Sequence, residues 1–318
     1  MIVHPKDSTL NFPFIKYILE SPEIILEKLY DEYFNNKQDF KYETCTLYRV
    51  YERDYFIDAV SSHFTEHIRA ECKTLNKPNF VSVWKSLTPE VIKSFKSQNE
   101  LRDFIYNEYN ARECNYFSAG LCIRLYLGFN KKRHPIKIID PSSGWGCRML
   151  TAIACGDHVS EYTGYDVNKK LIEPYNKIIE KLDKDKKCSF HITPFETAHV
   201  KVEYYDLGVT SPPYFDLENY SDDESQSVNS QRKTYEEWIT TFYIPYLYNL
   251  ARSIKNDGRI ILYVSNYRNM GKLIPLGDDT LKIYNSHPYV KYFKTGYLRQ
   301  NDKDKFPRPF FIFDVSRK

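Results

Sequence analysis

The chain has 318 residues, a hydrophobic fraction of 42%, a charged fraction of 27% and a formal net charge of +3. These values belong to an ordinary globular protein that can bury a core. No apolar run approaches the length of a membrane span, and the N-terminus, MIVHPKDSTLNFPF, lacks the basic-then-apolar order of a signal peptide. The sequence therefore predicts a soluble intracellular protein with no membrane partner, and it leaves the oligomeric state open.

Cysteine and aromatic content limit the function further. The seven Cys include no CxxC pair and no Cys/His array with zinc spacing, so we predict reduced thiols and no metal site. The aromatic fraction of 16% reflects either a composition bias or platforms that stack on bases. The net charge of +3 does not decide whether the partner is a nucleic acid. Such a partner needs a local basic surface and not a large global charge.

The first part of the chain, to about residue 132, is predicted to form helices joined by polar turns. Two helix starts are marked by the same signature, a capping hydroxyl followed by proline and an acid, at Ser21 and at Thr88. We therefore expect a mainly helical N-terminal region over residues 1–114 and a second domain over residues 115–318.

From Ile136 onward, short apolar runs alternate with amphipathic helices. The predicted strands are KIID up to Asp140, EYTGYD, SFHI, YDLGVTS, RIILYVSN and RPFFIFDV. This alternation predicts an α/β fold, a mainly parallel sheet with helices on both faces. The polar segment between residues 220 and 234, SDDESQSVNSQRKT, breaks the pattern and is predicted to be a flexible loop, either functional or a linker.

A glycine-containing turn follows the first of these strands. Asp140 ends the strand, and Gly144 and Gly146 bracket the turn before a helix begins near Arg148. Glycine lets the backbone approach a ligand where a Cβ would clash. The next strand ends at Asp166, where an acid can accept from both ribose hydroxyls of a nucleotide or can simply cap the following helix.

A third strand end carries Phe195 and Glu196. The ring can stack on an adenine and the acid can accept from its amino group. A surface glutamate after a proline turn is the alternative interpretation.

The segment Thr210-Ser211-Pro212-Pro213-Tyr214-Phe215 follows the fourth strand. Two adjacent prolines remove two backbone donors and stiffen the chain, which holds carbonyls in a constant direction. Ser211 Oγ and the Pro212 carbonyl can then accept from an aromatic amino group, and Tyr214 can stack on an extruded base. The alternative is a proline-rich turn without a role.

Together, DPSSGWG, TGYD and TSPPYF resemble the motif series of the amino-methyltransferases that act on DNA bases. The further match SPPYFDLENYS…QS…TYEEW resembles the SPPY subgroup, which includes cytosine amino-methylases of restriction–modification systems and phage or viral DNA methylases. The resemblance covers roughly residues 115–266. It implies a Rossmann-like class I methyltransferase sheet and the cofactor S-adenosylmethionine.

The resemblance, together with the strand-end and loop patterns described above, predicts a role for particular residues. The catalytic tetrapeptide is Ser211, Pro212, Pro213 and Tyr214. The cofactor-binding residues are Tyr116, Phe117 and Ser118 at the methionine moiety, Asp140, Pro141, Ser143, Gly144 and Gly146 in the loop, Asp166 at the ribose, and Phe195 and Glu196 at the adenine. The residues expected to contact the substrate are Phe215, Tyr220, Arg232 and Lys233.

Two departures from the family pattern affect the substrate more than the cofactor. The loop contains SSGWG where a phenylalanine is more usual, and no known type of target-recognition domain is present. By the same resemblance, serine at the first tetrapeptide position slightly favours cytosine over adenine and disfavours a protein amide, although the chemistry would accept either base. DNA is the preferred substrate, RNA read by stacking is the alternative, and an inactive methyltransferase-like binding subunit is a second alternative.

Overall fold

The structure is a computed structural model that describes residues 2–14, 21–31, 45–48, 51–74, 77–131, 135–220, 223–228, 233–301 and 303–317. The helices described are α1 Pro22–Tyr30, α2 Tyr51–Arg69, α3 Phe80–Ser86, α4 Pro89–Lys93, α5 Gln98–Glu108, α6 Ala119–Gly128, α7 Cys147–Ala154, α8 Ile172–Leu182, α9 Tyr235–Trp238, α10 Ile244–Ser253 and α11 Leu276–Asn285. The strands described are β1 Val3–His4, β2 Asp7–Asn11, β3 Thr46–Tyr48, β4 Lys73–Thr74, β5 Ile136–Asp140, β6 Val159–Asp166, β7 Cys188–Ile192, β8 Tyr205–Thr210, β9 Glu218–Asn219, β10 Ile254–Leu262, β11 Tyr267–Asn269, β12 Lys272–Ile274, β13 Val290–Arg299 and β14 Arg308–Val315.

The central sheet has eight strands in the order β3-β13-β14-β10-β8-β5-β6-β7. All neighbouring strands are parallel except that β14 runs antiparallel to both β10 and β13. The chain first builds outward from β5 to β7, then returns to place β8 on the other side of β5. Strand order therefore reverses between β5 and β8, and open α/β sheets bind ligands beyond the carboxyl ends of the strands at such a reversal.

Helices cover both faces of this sheet, which confirms the predicted α/β class. Neighbouring strand residues contribute to opposite faces: Ile138 joins the core with α1, α2, α6, α7 and α8, and Ile139 joins the core with α10 and α11. Phe310 and Phe311 in β14 divide in the same way. Burial on both faces explains why the central strands are near-continuous apolar runs in the sequence.

The N-terminal region is divided between two cores. The buried side chains of α1 and α2 belong to the core of the central sheet, and β3 adds the edge strand next to β13, where Leu47 pairs with Leu298. In contrast, β1, β2, α3, α4 and α5 surround a separate cluster that includes Phe12 and Trp84. The predicted domain boundary between residues 114 and 115 stays a prediction, and the sheet draws strands from both sides of it.

Most predicted elements are present at or near their expected positions. Ser21 and Thr88 cap α1 and α4 through their side chains, as the two helix-start signatures predict. Strand β13 was not predicted from the sequence, because lysines interrupt its apolar pattern. In the predicted loop, residues 221–222 and 229–232 lie outside the described residues.

Candidate active site

A cavity of about 660 Å³ lies beyond the carboxyl ends of the central strands, at the reversal between β5 and β8. Thirteen of the predicted catalytic and cofactor-binding residues line it: Tyr116, Phe117, Ser118, Pro141, Ser143, Gly144, Asp166, Phe195, Glu196, Ser211, Pro212, Pro213 and Tyr214. Tyr220 lines it as well. Two motifs far apart in sequence, the glycine loop and TSPPYF, therefore face the same space.

The glycine loop turns tightly because two of its residues adopt left-handed backbone. Gly144 has φ of 58° and Gly146 has φ of 84°, a region that favours glycine. The loop lies against β6, where the Ser143 N–H donates to the Tyr165 carbonyl at 2.8 Å. A Cβ on Gly164 would lie 2.3 Å from Ser143 Oγ, so the glycine of TGYD is needed for the loop to cross this strand.

Asp140 supports the loop from within and does not line the cavity. It is fully buried, and its carboxylate accepts from Arg148 Nε at 2.7 Å and from the Tyr162 hydroxyl at 2.6 Å. Burial lowers the pKa of Arg148, but the charge and hydrogen bond of Asp140, together with Tyr162 and Tyr126, outweigh burial, and the pKa is raised. The other carboxylate oxygen of Asp140 accepts from the Ser142 N–H of the glycine loop at 3.3 Å. The expected direct contact of Asp140 with a cofactor is thus replaced by a positioning role, because its hydrogen-bond partners all belong to the loop and the core behind it.

Gly146 also stays off the cavity surface. It is the residue before α7, and a Cβ on it would lie 3.4 Å from Ile178 Cδ1 and 3.7 Å from the Tyr175 ring. Its role is therefore close packing between the start of α7 and helix α8.

Asp166 lies at the end of β6 with its carboxylate at the cavity wall. Oδ2 accepts from the Gly144 N–H at 2.9 Å and Oδ1 from the Asn168 N–H at 3.0 Å. A carboxylate oxygen can accept more than one hydrogen bond, so each retains capacity toward the cavity. Burial raises the pKa of this carboxyl, while the N–H groups of Asn168 and Gly144 oppose the rise.

Asn168 is a site residue that the sequence analysis did not select. Its side chain is 2% exposed and lines the cavity, and its Oδ1 accepts from the Lys170 N–H at 3.1 Å. Its Nδ2 has no hydrogen-bond partner among the described residues. A buried donor without a partner is costly, and a ligand oxygen at this wall would satisfy it.

The aromatic segment before α6 is held by the N-terminal helix α2. The Tyr116 hydroxyl is 2.7 Å from Ser62 Oγ, and the Arg69 guanidinium lies 4.2 Å from the centre of the Tyr116 ring. Phe117 packs edge-on against Tyr263 with ring centres 5.5 Å apart. The Ser118 hydroxyl caps α6 by accepting from the Leu121 N–H at 3.1 Å, so that side chain has a structural partner.

Phe195 and Glu196 lie after β7 and both border the cavity. Phe195 is largely buried, with its ring edge-on to Tyr165 and Tyr246 at 5.1 and 5.3 Å. Its backbone carbonyl accepts from Asn249 Nδ2 at 2.6 Å, which anchors the turn to α10.

The TSPPYF segment leaves β8 toward the cavity. In the part of the chain that the structure describes, the Ser211 hydroxyl has no hydrogen-bond partner, and it lines the cavity. Tyr214 is anchored: its hydroxyl accepts from the Ser265 N–H at 3.0 Å, and its ring packs edge-on against Tyr267 at 5.1 Å. Burial raises the pKa of the Tyr214 phenol, so it is neutral at neutral pH.

The predicted substrate residues divide into three groups. Tyr220 lines the cavity and packs edge-on against Trp145 at 6.0 Å. Phe215 is turned into the core, where Tyr235 and Trp238 surround it, so it does not line the cavity. Lys233 is exposed next to helix α9 and also lies off the cavity, and Arg232 lies outside the described residues.

Tyr246 of α10 is the second residue that sequence analysis missed. Its hydroxyl is 2.8 Å from Ser142 Oγ in the glycine loop and 3.5 Å from Thr210 Oγ1 at the end of β8. It thereby joins the two motifs. No local signal marks it, because it is one of 28 tyrosines in the chain and lies on the largely apolar buried face of its helix.

No family model and no curated protein matches this sequence. Among solved structures, it is similar to an S-adenosylmethionine-dependent O-methyltransferase from Thermotoga maritima, at 13% identity over 69% of this chain and 72% of that chain, with a TM-score of 0.42. A tRNA m1G37 methyltransferase from M. jannaschii has 14% identity over 64% and 50% of the two chains and a TM-score of 0.40. The N-methyltransferase NodS from Bradyrhizobium japonicum, solved with S-adenosyl-L-homocysteine, has 11% identity over 63% and 86% and a TM-score of 0.41. Similarities of this size do not identify a family or an activity.

Two further observations concern membranes and metals. None of the described helices is long and apolar enough to span a bilayer. Across the described residues, no group of three or more His, Cys, Asp or Glu side chains is arranged to hold a metal ion.

Proposed function

We propose that this protein transfers a methyl group from S-adenosylmethionine to the exocyclic amino group of a nucleic-acid base, with DNA favoured over RNA and cytosine slightly favoured over adenine. The observation that carries the proposal is the common cavity shared by the glycine loop, Asp166 and the TSPPYF segment. A methyl donor and an acceptor amine must meet in one space, and these motifs are separated by about a quarter of the chain.

The cofactor side of the cavity fits a nucleoside with a sulfonium tail. Asp166 retains acceptor capacity for two ribose hydroxyls, and Asn168 Nδ2 is a buried donor that lacks a partner among the described residues. The left-handed glycines allow close approach of the backbone. Tyr116 and Phe117 would border the methionine moiety, and Phe195 with Glu196 the adenine.

At the acceptor side, we assign Ser211 Oγ and the Pro212 carbonyl as acceptors of the two N–H bonds of the target amine. The nitrogen lone pair of an aromatic amine is delocalised into the ring, and these acceptors draw the nitrogen toward tetrahedral geometry. When bound, the cofactor would supply an electrophilic methyl group to this nitrogen, with the departing sulfur keeping the electron pair of the broken C–S bond. The nitrogen then loses one proton to water. Positioning and preorganised acceptors around developing positive charge supply most of the rate.

The deciding experiment is methyl transfer from isotope-labelled cofactor to double-stranded DNA, single-stranded DNA and transcribed RNA, followed by digestion to nucleosides. Labelled N4-methylcytosine or N6-methyladenine from DNA is the expected product. Label confined to RNA nucleosides selects the RNA alternative. Cofactor binding without transfer to any of the three polymers supports the inactive binding subunit and overturns the proposal.

The loop at residues 220–234 is proposed to order against nucleic acid, with its hydroxyls, Arg232 and Lys233 near phosphates. Its described part already reaches the site, since Ser225, Gln226 and Ser227 line the cavity. Shortening the loop should lower affinity for nucleic acid and leave cofactor affinity unchanged. Normal binding and turnover after the deletion would identify it as a linker.

A further inference from the structure

Two hairpin tips near the acceptor end of the cavity present the most exposed large apolar side chains among the described residues. Met270 is 89% exposed in the turn between β11 and β12, and Phe306 is 88% exposed in the loop between β13 and β14. Tyr267, at the base of the first hairpin, and Phe306 itself line the same cavity as Ser211. We name residues 268–272 the first hairpin tip, and residues 299–301 with 303–308 the second.

Met270 has an unfavourable backbone conformation for its side-chain type. Its φ is 48° and that of Gly271 is 80°, so both central residues of a two-residue hairpin turn are left-handed. Turns of this kind strongly prefer Asn-Gly or Asp-Gly, and a bulky residue at positive φ is uncommon. Local strain that places an apolar side chain in water points to a use for that side chain.

Phe306 is presented by a hydrogen-bonded turn. The Asp304 carboxylate accepts from the backbone N–H groups of Gln300 and Phe306, both at 3.0 Å. Arg299 donates to the Asp304 carbonyl at 3.1 Å, and Pro307 restricts the backbone of the residue before it. The exposed ring is therefore held at the rim by its own loop.

The charges around the two apolar residues are mainly basic. Basic side chains accompany them at Arg268, Lys272, Lys303, Lys305 and Arg308. The Asp304 carboxylate is already engaged inside the second turn, and Asp302, the other acid in this stretch of sequence, lies outside the described residues. Apolar side chains surrounded by lysine and arginine suit a polyanion whose bases can be stacked upon or wedged apart.

We propose that the two hairpin tips grip the nucleic-acid strand that carries the target base, with Phe306 and Met270 packed against bases beside the extruded one and the basic side chains on the flanking phosphates. This inference rests on the proposed function, because it takes a nucleic acid as the occupant of the acceptor end. It assigns polymer binding to a surface separate from the cofactor-binding residues.

The test measures binding of a fluorescein-labelled oligonucleotide, single-stranded and duplex, by anisotropy. Phe306→Ala and Met270→Ala should each weaken binding roughly 5- to 100-fold on the strand that is gripped. Phe306→Trp, which keeps an aromatic ring at this position, should bind the oligonucleotide about as well as the wild type. Lys303→Ala with Lys305→Ala should lower the slope of log affinity against log salt by roughly 2, because each lysine that neutralises a phosphate adds about 1 to that slope.

Val202→Ala is the matched control. Val202 is an apolar residue that is 57% exposed, and it precedes β8, at the end of the sheet away from the cavity. This variant should bind oligonucleotides as the wild type does, and every variant should keep wild-type cofactor affinity, which reports intact folding.

The two proposals fail in different ways. If wild type methylates a nucleic acid but Phe306→Ala and Met270→Ala bind it normally, the grip is wrong and the proposed function stands. If wild type binds oligonucleotides through the tips but transfers no methyl group, the proposed function is wrong and the grip stands. Loss of vesicle binding or of self-association in these variants, with unchanged oligonucleotide binding, would assign the tips to a lipid or to a second copy.

Discussion

Ser211 is the residue on which the proposed chemistry depends most directly. Its hydroxyl lines the cavity and has no hydrogen-bond partner within the described residues, so it is available to a substrate. Ser211→Ala should bind cofactor normally and lose about 10²–10³-fold in kcat, because the missing hydrogen bond matters chiefly in the transition state. Single-turnover rates and calorimetry separate these two effects.

Ser160→Ala is the control for that measurement. Ser160 Oγ donates to the Ile136 carbonyl at 3.2 Å, near the starts of β5 and β6 and away from the cavity. Near-normal turnover is expected for this variant. Near-normal turnover for Ser211→Ala on the best nucleic-acid substrate would rule out the amino-methyltransferase mechanism.

Asp166→Ala should weaken S-adenosylmethionine binding by roughly 1–3 kcal/mol, because buried ribose hydroxyls lose their acceptor. The wild-type protein should also lose cofactor affinity as pH falls through the pKa of this carboxyl, since protonation removes acceptor capacity. Burial raises that pKa, so the loss should begin at a higher pH than the ordinary value of 3.8 would give. Calorimetry of both proteins across acidic pH, with unfolding checked separately, tests the effect of the substitution and the effect of pH. Unchanged cofactor affinity in a folded Asp166→Ala variant would show that Asp166 does not bind the cofactor.

Tyr214 has a hydroxyl that anchors it to Ser265 and a ring that we propose stacks on the target base. Tyr214→Ala should weaken capture of the extruded base by roughly 1–3 kcal/mol, the range for base stacking on an aromatic side chain. Tyr214→Phe keeps the ring but leaves the Ser265 N–H without its acceptor, at a cost of about 1 kcal/mol. The KM for the nucleic acid should therefore rank wild type, then Phe, then Ala. A Phe variant as impaired as Ala would show that the anchor matters more than the ring.

At the scale of elements, the glycine loop can cross β6 because Gly164 has no side chain. Gly164→Ala places a Cβ where Ser143 Oγ now lies, and overpacking of this kind costs about 1–3 kcal/mol. Thermal unfolding should show this loss, and cofactor affinity should fall because the loop is displaced. Adding Ser143→Ala should recover part of the stability, a coupling that a double-mutant cycle measures.

Gly128→Ala provides the matched glycine control. It lies at the end of α6, and a Cβ there would meet no atom within 4 Å. This variant should be neutral or stabilise the protein by up to about 1 kcal/mol, the helix preference of alanine over glycine. Equal destabilisation by both substitutions would contradict the steric explanation for Gly164.

At the scale of the whole molecule, the contacts made by the segments before residue 115 determine whether residues 115–318 can fold alone. Helices α1 and α2 bury Ile25, Leu26, Leu29, Ile57, Val60, Phe64 and Ile68 in the core of the central sheet. Burial of seven such side chains contributes roughly 10–20 kcal/mol, at 1.5–3 kcal/mol each. A fragment without them loses this contribution, which is comparable to or larger than the total stability of a typical domain. A fragment of residues 115–318 should therefore lack a cooperative unfolding transition.

Circular dichroism during heating checks this prediction, with the full chain as reference. Addition of a separate fragment of residues 1–114 should restore part of the transition if the two pieces reassemble. A fragment of residues 115–318 that unfolds cooperatively and binds cofactor would instead establish the boundary predicted from sequence.

Patterns local in the chain identified the central strands, the helix starts and the segments that border the cavity. Strand ends, glycine turns and proline pairs depend on backbone restrictions that a few neighbouring residues impose. They can therefore be predicted from the sequence without knowledge of the fold. The residues carrying these features, such as Gly144, Asp166 and Ser211, accordingly line one cavity.

Tertiary packing alone decided which of those residues face the cavity and which support it. Asp140 belongs to the same motif as Gly144, but its carboxylate is hydrogen-bonded to Arg148 and Tyr162. Phe215 belongs to the same motif as Ser211, but its ring packs against Tyr235 and Trp238. No local signal indicates that Tyr246, Asn168 and the two hairpin tips are placed at the cavity. Their positions depend on contacts between segments distant in sequence, and a side chain's partners across the fold cannot be deduced from its immediate neighbours in the chain.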